Sequence, residues 1–249
     1  NTLKISLIGS GAANVALVRL LAKAGVDINN IVVVDSRGII NLNREDLKNN
    51  PVKWNIAQTT NKSQITGGIK ESLQDVDACI ALSKPGPGVI EGSWIKEMSD
   101  SPIVFACANP VPEIWPWDAK NAGAAIVATG RSDFPNQVNN SLGFPGLFRG
   151  ALDVRALKLT DGMCLAAASE IASYAEKTGL SETHIVPTMD ALELFAHEAA
   201  AVAMKAIEEG VAQIKLDKSE VYENALEVIK RSRNITRNQM DSGFIKPAP

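Results

Sequence analysis

The chain has 249 residues, 45% of them hydrophobic and 21% charged, with a formal net charge of −3. That is enough apolar length for a large buried core. It excludes the clustered basic face that nucleic acid needs, and no apolar run approaches the roughly 20 residues that span a bilayer.

In chain order, Leu3 to Ile8 reads as a buried strand, followed by a glycine turn and a helix from about Ala12 to Ala24. Ile31 to Asp35 (IVVVD) is a second strand, apolar throughout as a parallel-sheet strand should be. Residues 36–66 are polar and Asn-rich, and no element can be assigned there. Asp77 to Leu82, Pro102 to Ala106 and Ala124 to Ala128 give three more strands, the last running into Thr129-Gly130. Strands separated by helix-length segments mean βαβ units, hence a doubly wound, Rossmann-like α/β sheet with a C-terminal helical extension. The expected organisation is one dinucleotide-binding domain over 1–249, with a sheet core at 1–158 and a mainly helical part at 159–249. In that part Thr160 to Thr178 is an Ala-rich helix closed by Gly179. Leu192, Phe195, Ala199, Val202 and Ala206 recur at helical steps up to about Gly210. A third helix, Lys218 to Arg233, carries only sparse apolar positions at Val221, Leu226 and Ile229.

The first turn carries the clearest chemistry. Gly9-Ser10-Gly11-Ala12-Ala13-Asn14 follows a strand and opens a helix. Gly9 permits the tight turn and Gly11 lets backbone approach a pyrophosphate, which the helix N-terminus then favours. Asn14 stands where the fingerprint has its third glycine, so looser packing of helix on strand is expected. Asp35, at the end of the second strand, is placed to accept from a ribose 2′-hydroxyl, which favours NAD. Arg37, two residues on, could instead neutralise the 2′-phosphate of NADP.

Four further motifs lie at strand ends: LSKPGPG at 82–88, containing Ser83 and Lys84; ACANP at 106–110, containing Asn109; ATGRSD at 128–133; and NQVNNSLGFPG at 136–146, containing Asn139 and Asn140. With VDSRG at 34–38 they resemble the shorter prokaryotic malic enzymes, from the first strand to roughly Gly210. The resemblance implies a nicotinamide dinucleotide site at Gly9 to Asn14, Asp35, Arg37, Ser83 and Asn109, with Asn109 at the nicotinamide end. It implies contacts to malate from Asn140, with Asn139 beside it. Read without the resemblance, these asparagines are turn formers and helix caps, and Arg131 with Asp133 is a local ion pair.

Malic enzymes oxidise malate at C2 and decarboxylate the ketoacid to pyruvate, which takes a base, an acid and a Mg²⁺ or Mn²⁺ ion. The resemblance places those groups upstream of the glycine turn. The chain starts at Asn1 almost directly on a strand, which reads as a cut inside a longer, homo-oligomeric cytoplasmic enzyme whose N-terminal catalytic domain is absent. No catalytic or metal-ligating residue is therefore assigned. The histidines His184 and His197 lie away from the strand-end motifs. Cys79, Cys107 and Cys164 show no CxxC spacing and read as buried reduced thiols. Two other readings stand beside this one: a non-catalytic dinucleotide-binding module, and a malolactic-type enzyme that yields lactate.

Overall fold

The computed structural model describes residues 2–246. Ile5–Ile8 (β1), Ile31–Asp35 (β2), Gly38–Ile39 (β3), Ala78–Ala81 (β4), Ile103–Ala106 (β5) and Ile126–Thr129 (β6) form one sheet in the order β3-β2-β1-β4-β5-β6. The helices are Ala12–Lys23 (α1), Pro51–Thr59 (α2), Ile69–Ser72 (α3), Gly92–Ile95 (α4), Pro116–Asn121 (α5), Phe144–Asp153 (α6), Asp161–Thr178 (α7), Leu192–Glu208 (α8) and Lys218–Asp241 (α9).

Alternation along β2 explains its unbroken apolar run. Ile31 and Val33 pack on one face with Leu7, Ile40 and Ile56, while Val32 and Val34 pack with Ile39 on the other. Both faces are covered, so no polar position is tolerated until Asp35. The pairs β1–β2, β1–β4, β4–β5 and β5–β6 are parallel. Chain order reverses direction across the sheet between β1 and β4, the switch point at which such sheets open a crevice beyond their strand ends.

Within the sheet, two features depart from the sequence reading. The unassigned stretch 36–66 contains β3, which runs antiparallel to β2 through Val34–Ile39 and Asp35–Gly38 pairing. Two residues are too few to show a periodicity. At its start β1 begins at Ile5 rather than Leu3, because Lys4 N donates to the Asp77 carboxylate at 2.8 Å instead of to a neighbouring strand.

Contacts divide the chain into two compact units: Asn1–Asn139 with Leu180–Ile185, and Asn140–Gly179 with Val186–Pro249. The division falls ahead of the expected step at 158/159 because α6 packs on α8 within the second unit. There α8 is the axis: Ala196, Ala199, Ala200, Ala203 and Ala206 are all buried, and α6, α7 and α9 pack around it. Small side chains allow close approach, and at Gly150 on α6 a Cβ would strike the Ala199 carbonyl. Helix α9 outruns its expected end at Arg233 and reaches Asp241. Its last fully buried residue is Ala225, Leu226 and Ile229 are partly buried against the core, and the helix beyond them is largely exposed, which apolar periodicity does not register. Among the described residues no helix is long and apolar enough to cross a membrane.

Candidate functional site

The site is built at the strand ends of the first unit. Gly9 has φ +102°, and a Cβ there would lie 2.5 Å from the Leu82 carbonyl oxygen. Only glycine fits both the left-handed conformation and the close approach of β1 to the chain leaving β4. Gly11 precedes α1 without a side-chain cap, the first turn holds no acid, and a Cβ built on Gly11 meets nothing within 4 Å. The α1 N–H groups therefore face open space, a ready anion position.

Asn14 does not loosen this junction, contrary to the expectation from its place in the fingerprint. It is buried, and its Nδ2 donates to the carbonyls of Ile8 at 3.0 Å and Gly9 at 2.8 Å, tying α1 to the end of β1. The amide does by hydrogen bonding what the missing glycine does by proximity.

In front of the turn lies a crevice of about 820 Å³ whose walls include Ile8, Gly9, Ser10, Gly11, Val34, Asp35, Arg37, Lys53, Ile69, Ser83 and Lys84. Six expected site residues, Gly9, Ser10, Gly11, Asp35, Arg37 and Ser83, are thus brought together. Ala12, Ala13, Asn14 and Asn109 do not line it; the first two are exposed in the first turn of α1.

Asp35 is engaged already. Its carboxylate accepts from Arg44 Nη1 at 2.8 Å, Lys53 Nζ at 2.7 Å and Arg37 N at 2.9 Å. Burial alone would raise its pKa; the Arg44 and Lys53 hydrogen bonds outweigh that and hold it at about 2. Arg44 also grips Asp46 at 2.7 Å, and Arg37 reaches Asp46 at 3.2 Å. Three cations thus face two acids, Asp35 and Asp46, leaving one net positive charge. Sequence reading missed Arg44 and Lys53 because both lie in the unassigned stretch.

Glu113 was missed too. It is fully buried, and its carboxylate accepts from Ser83 N at 2.8 Å, Ser83 Oγ at 3.0 Å and Ala108 N at 3.0 Å. Ser83 therefore spends both its donors inward. A buried acid three residues beyond the ACANP motif was the available signal. Burial, with the Glu113 charge adding to it, pushes the Cys107 thiol up to about 12 and raises Cys79 as well, so both stay protonated and unreactive near neutral pH.

Beyond β6, the Asn109 amide lies against Gly130, 3.3 Å from where a Cβ would stand, and Asn139 Nδ2 donates to the Gly130 carbonyl at 2.9 Å. Asn140 is exposed at the start of a short 3₁₀ turn, Asn140–Leu142. Asn139 closes a segment of the first unit and Asn140 opens the second. Arg131 pairs with Asp133 at 2.7 Å, the local ion pair anticipated. His184 lies in the 180–185 segment, and His197 sits on α8 with Tyr222 at 4.7 Å. Among the described residues no group of three His, Cys, Asp or Glu could hold a metal ion.

A family model described as "Malic enzyme, NAD binding domain" matches residues 2–208. The bifunctional malic/malolactic enzyme of Bacillus subtilis (strain 168) is 43% identical over 223 residues, 90% of this chain and 53% of that protein. An NADP-dependent malic enzyme of Halomonas elongata is 39% identical over 225 residues, 84% of this chain and 51% of that protein. The crystal structure of Entamoeba histolytica malic enzyme superposes with a TM-score of 0.96 at 48% identity, over 99% of this chain and 51% of its own. The chain thus spans about half the length of these relatives.

Proposed function

Because this chain belongs to the malic enzyme family, matching its NAD-binding domain, we propose that it holds the nicotinamide dinucleotide for oxidative decarboxylation of malate to pyruvate and CO2 in a longer, Mg²⁺- or Mn²⁺-dependent protein. The observation that carries this reading is the open α1 N-terminus at the β1/β4 switch point, facing an 820 Å³ crevice. The pyrophosphate sits before Gly11, with the adenosine half toward Asp35 and the nicotinamide half toward the chain leaving β4. A bound nicotinamide supplies the hydride acceptor. Asn109 offers an amide to the ring, and Asn139 and Asn140 are each a separate candidate to hold a substrate carboxylate in the longer protein.

Cofactor choice turns on Asp35. The carboxylate favours NAD, but Arg44 and Lys53 neutralise it and Arg37 lines the same wall. The net positive charge admits a 2′-phosphate as well, so we propose NAD with only modest discrimination against NADP. The Bacillus subtilis relative's name, malic/malolactic, favours one second reading, in which the longer protein also releases lactate.

Calorimetry tests the site. The Gly11→Val side chain enters open space, leaving the fold intact and obstructing the pyrophosphate. The wild-type chain should bind NAD, and Gly11→Val should abolish detectable heat at an unchanged melting temperature. Equal affinity in the two proteins would remove the glycine turn from the site.

A further inference from the structure

The Gly- and Pro-rich chain leaving β4 has little regular structure to hold it. Lys84 to Gly88 contain two prolines and two glycines, and Gly86 and Gly88 have φ +124° and +92°. The chain leaving β5 likewise turns through Asn109-Pro110 with no helix until Pro116. The side chain that joins the two segments is that of Glu113. One carboxylate oxygen takes both donors of Ser83 and the other takes the Ala108 N–H, next to Asn109. Its backbone carbonyl takes the Ile90 N–H at 3.3 Å, and Val111 takes that of Gly86 at 3.2 Å. A carboxylate is the group this junction needs. All three side-chain contacts are donors, and an acceptor-only side chain of that length satisfies them without leaving an N–H orphaned.

We infer that Glu113 is a positioning residue for the nicotinamide half of the cofactor site: its buried carboxylate fixes the segments at Ser83 and Asn109 relative to each other, while the adenosine half at Gly9 and Asp35 does not depend on it. This rests on the cofactor reading above. The two halves of the crevice are held by separate polar networks, Asp35–Arg44–Lys53 on the β2 side and Ser83–Glu113–Ala108 on the β4/β5 side. A defect in the second should be felt only by a ligand that reaches it.

The test compares NAD with ADP-ribose, which lacks the nicotinamide ring. Glu113→Gln is nearly isosteric but turns one acceptor into an amide donor facing an N–H. Binding of NAD to the 249-residue chain should weaken by about tenfold, while ADP-ribose affinity stays within about twofold. Glu113→Asp keeps the charge but is one methylene short of spanning Ser83 and Ala108, and should give a smaller loss of the same kind. Amide exchange at Ser83 and Ala108 should quicken in Glu113→Gln, with β1 and β2 unaffected. An unchanged NAD-to-ADP-ribose ratio overturns the inference. So does equal loss of both ligands, which would make Glu113 a support of the whole fold. Failure of the wild-type chain to bind either ligand overturns the cofactor reading itself, and this inference with it.

Discussion

At the residue scale, Asp35 shows how far a motif can be trusted. Its place at the end of β2 was legible from IVVVD; its partners were not. Arg44 and Lys53 come from a polar stretch with no periodicity, and they change the meaning of the acid from a free acceptor to one member of a net-positive cluster. A prediction follows from Lys53, whose Nζ lies 2.7 Å from Asp35 Oδ2 and whose side chain lines the crevice. In the proposed site, Lys53→Ala removes a cation from the 2′ position and frees an Asp35 oxygen to accept from a ribose hydroxyl. It should shift the ratio of NAD to NADP affinity toward NAD by about tenfold, the size of one charge-assisted hydrogen bond. A ratio that stays put, measured by titration of the two cofactors, would show that Lys53 serves only to neutralise Asp35. Asn14 teaches the complementary lesson. A departure from the glycine fingerprint was visible in the sequence, but not that its amide closes the junction it was expected to loosen.

At the element scale, the α6–α8 crossing carries a buried acid that makes no ion pair among the described residues. Glu198 on α8 is fully buried, and a Cβ on Gly146 would run into its carboxylate. Burial pushes its pKa up to about 8 against the pull of the Leu147 and Gly146 N–H groups at the first turn of α6. Since the folded state holds this proton more tightly than the unfolded chain, its favourable contribution is complete below about pH 4.5. That contribution is lost as pH rises toward 8. Glu198→Gln, which cannot ionise, should flatten the decline of stability between pH 5 and 8. The difference from wild type should grow by up to about 1.4 kcal/mol per pH unit. Parallel denaturation curves for the two proteins across that range would place the ionisation elsewhere. The helices themselves were readable: α1, α7 and α8 fall within a residue or two of their apolar periodicity and caps, because burial of one face fixes both pattern and ends. Strand β3 and the last turns of α9 were not, the first being too short for a pattern and the second lying largely exposed beyond Ile229.

At the scale of the whole molecule, the question is what a chain spanning half of its relatives can do unaided. The residues proposed for the site can bind and orient but not transfer protons. Asn109, Asn139 and Asn140 are amides that neither take nor give a proton near neutral pH. Ser83 is turned inward to Glu113, and the thiols nearest that carboxylate are held protonated. His197 packs against Tyr222 with the rings tilted by 44° within α8 and α9 packing, and the described residues offer no cluster of ligands for a divalent cation. Oxidation at C2 requires a base for the hydroxyl proton, and decarboxylation requires an electron sink at the ketone; orientation lowers the barrier to both without replacing either. The 249-residue chain, given malate, NAD or NADP and Mg²⁺ or Mn²⁺, should therefore bind cofactor and release no pyruvate above background. Joined to the remaining half of a malic enzyme it should turn over, and Asn140→Ala in that protein should raise the malate KM more than it lowers kcat, as expected for a residue that holds a carboxylate in ground and transition states alike. Product analysis for pyruvate and lactate on both preparations decides the matter. Sustained pyruvate release by the chain alone would mean that a proton-transferring group at these strand ends has been misread as structural, and Glu113 would be the first residue to replace.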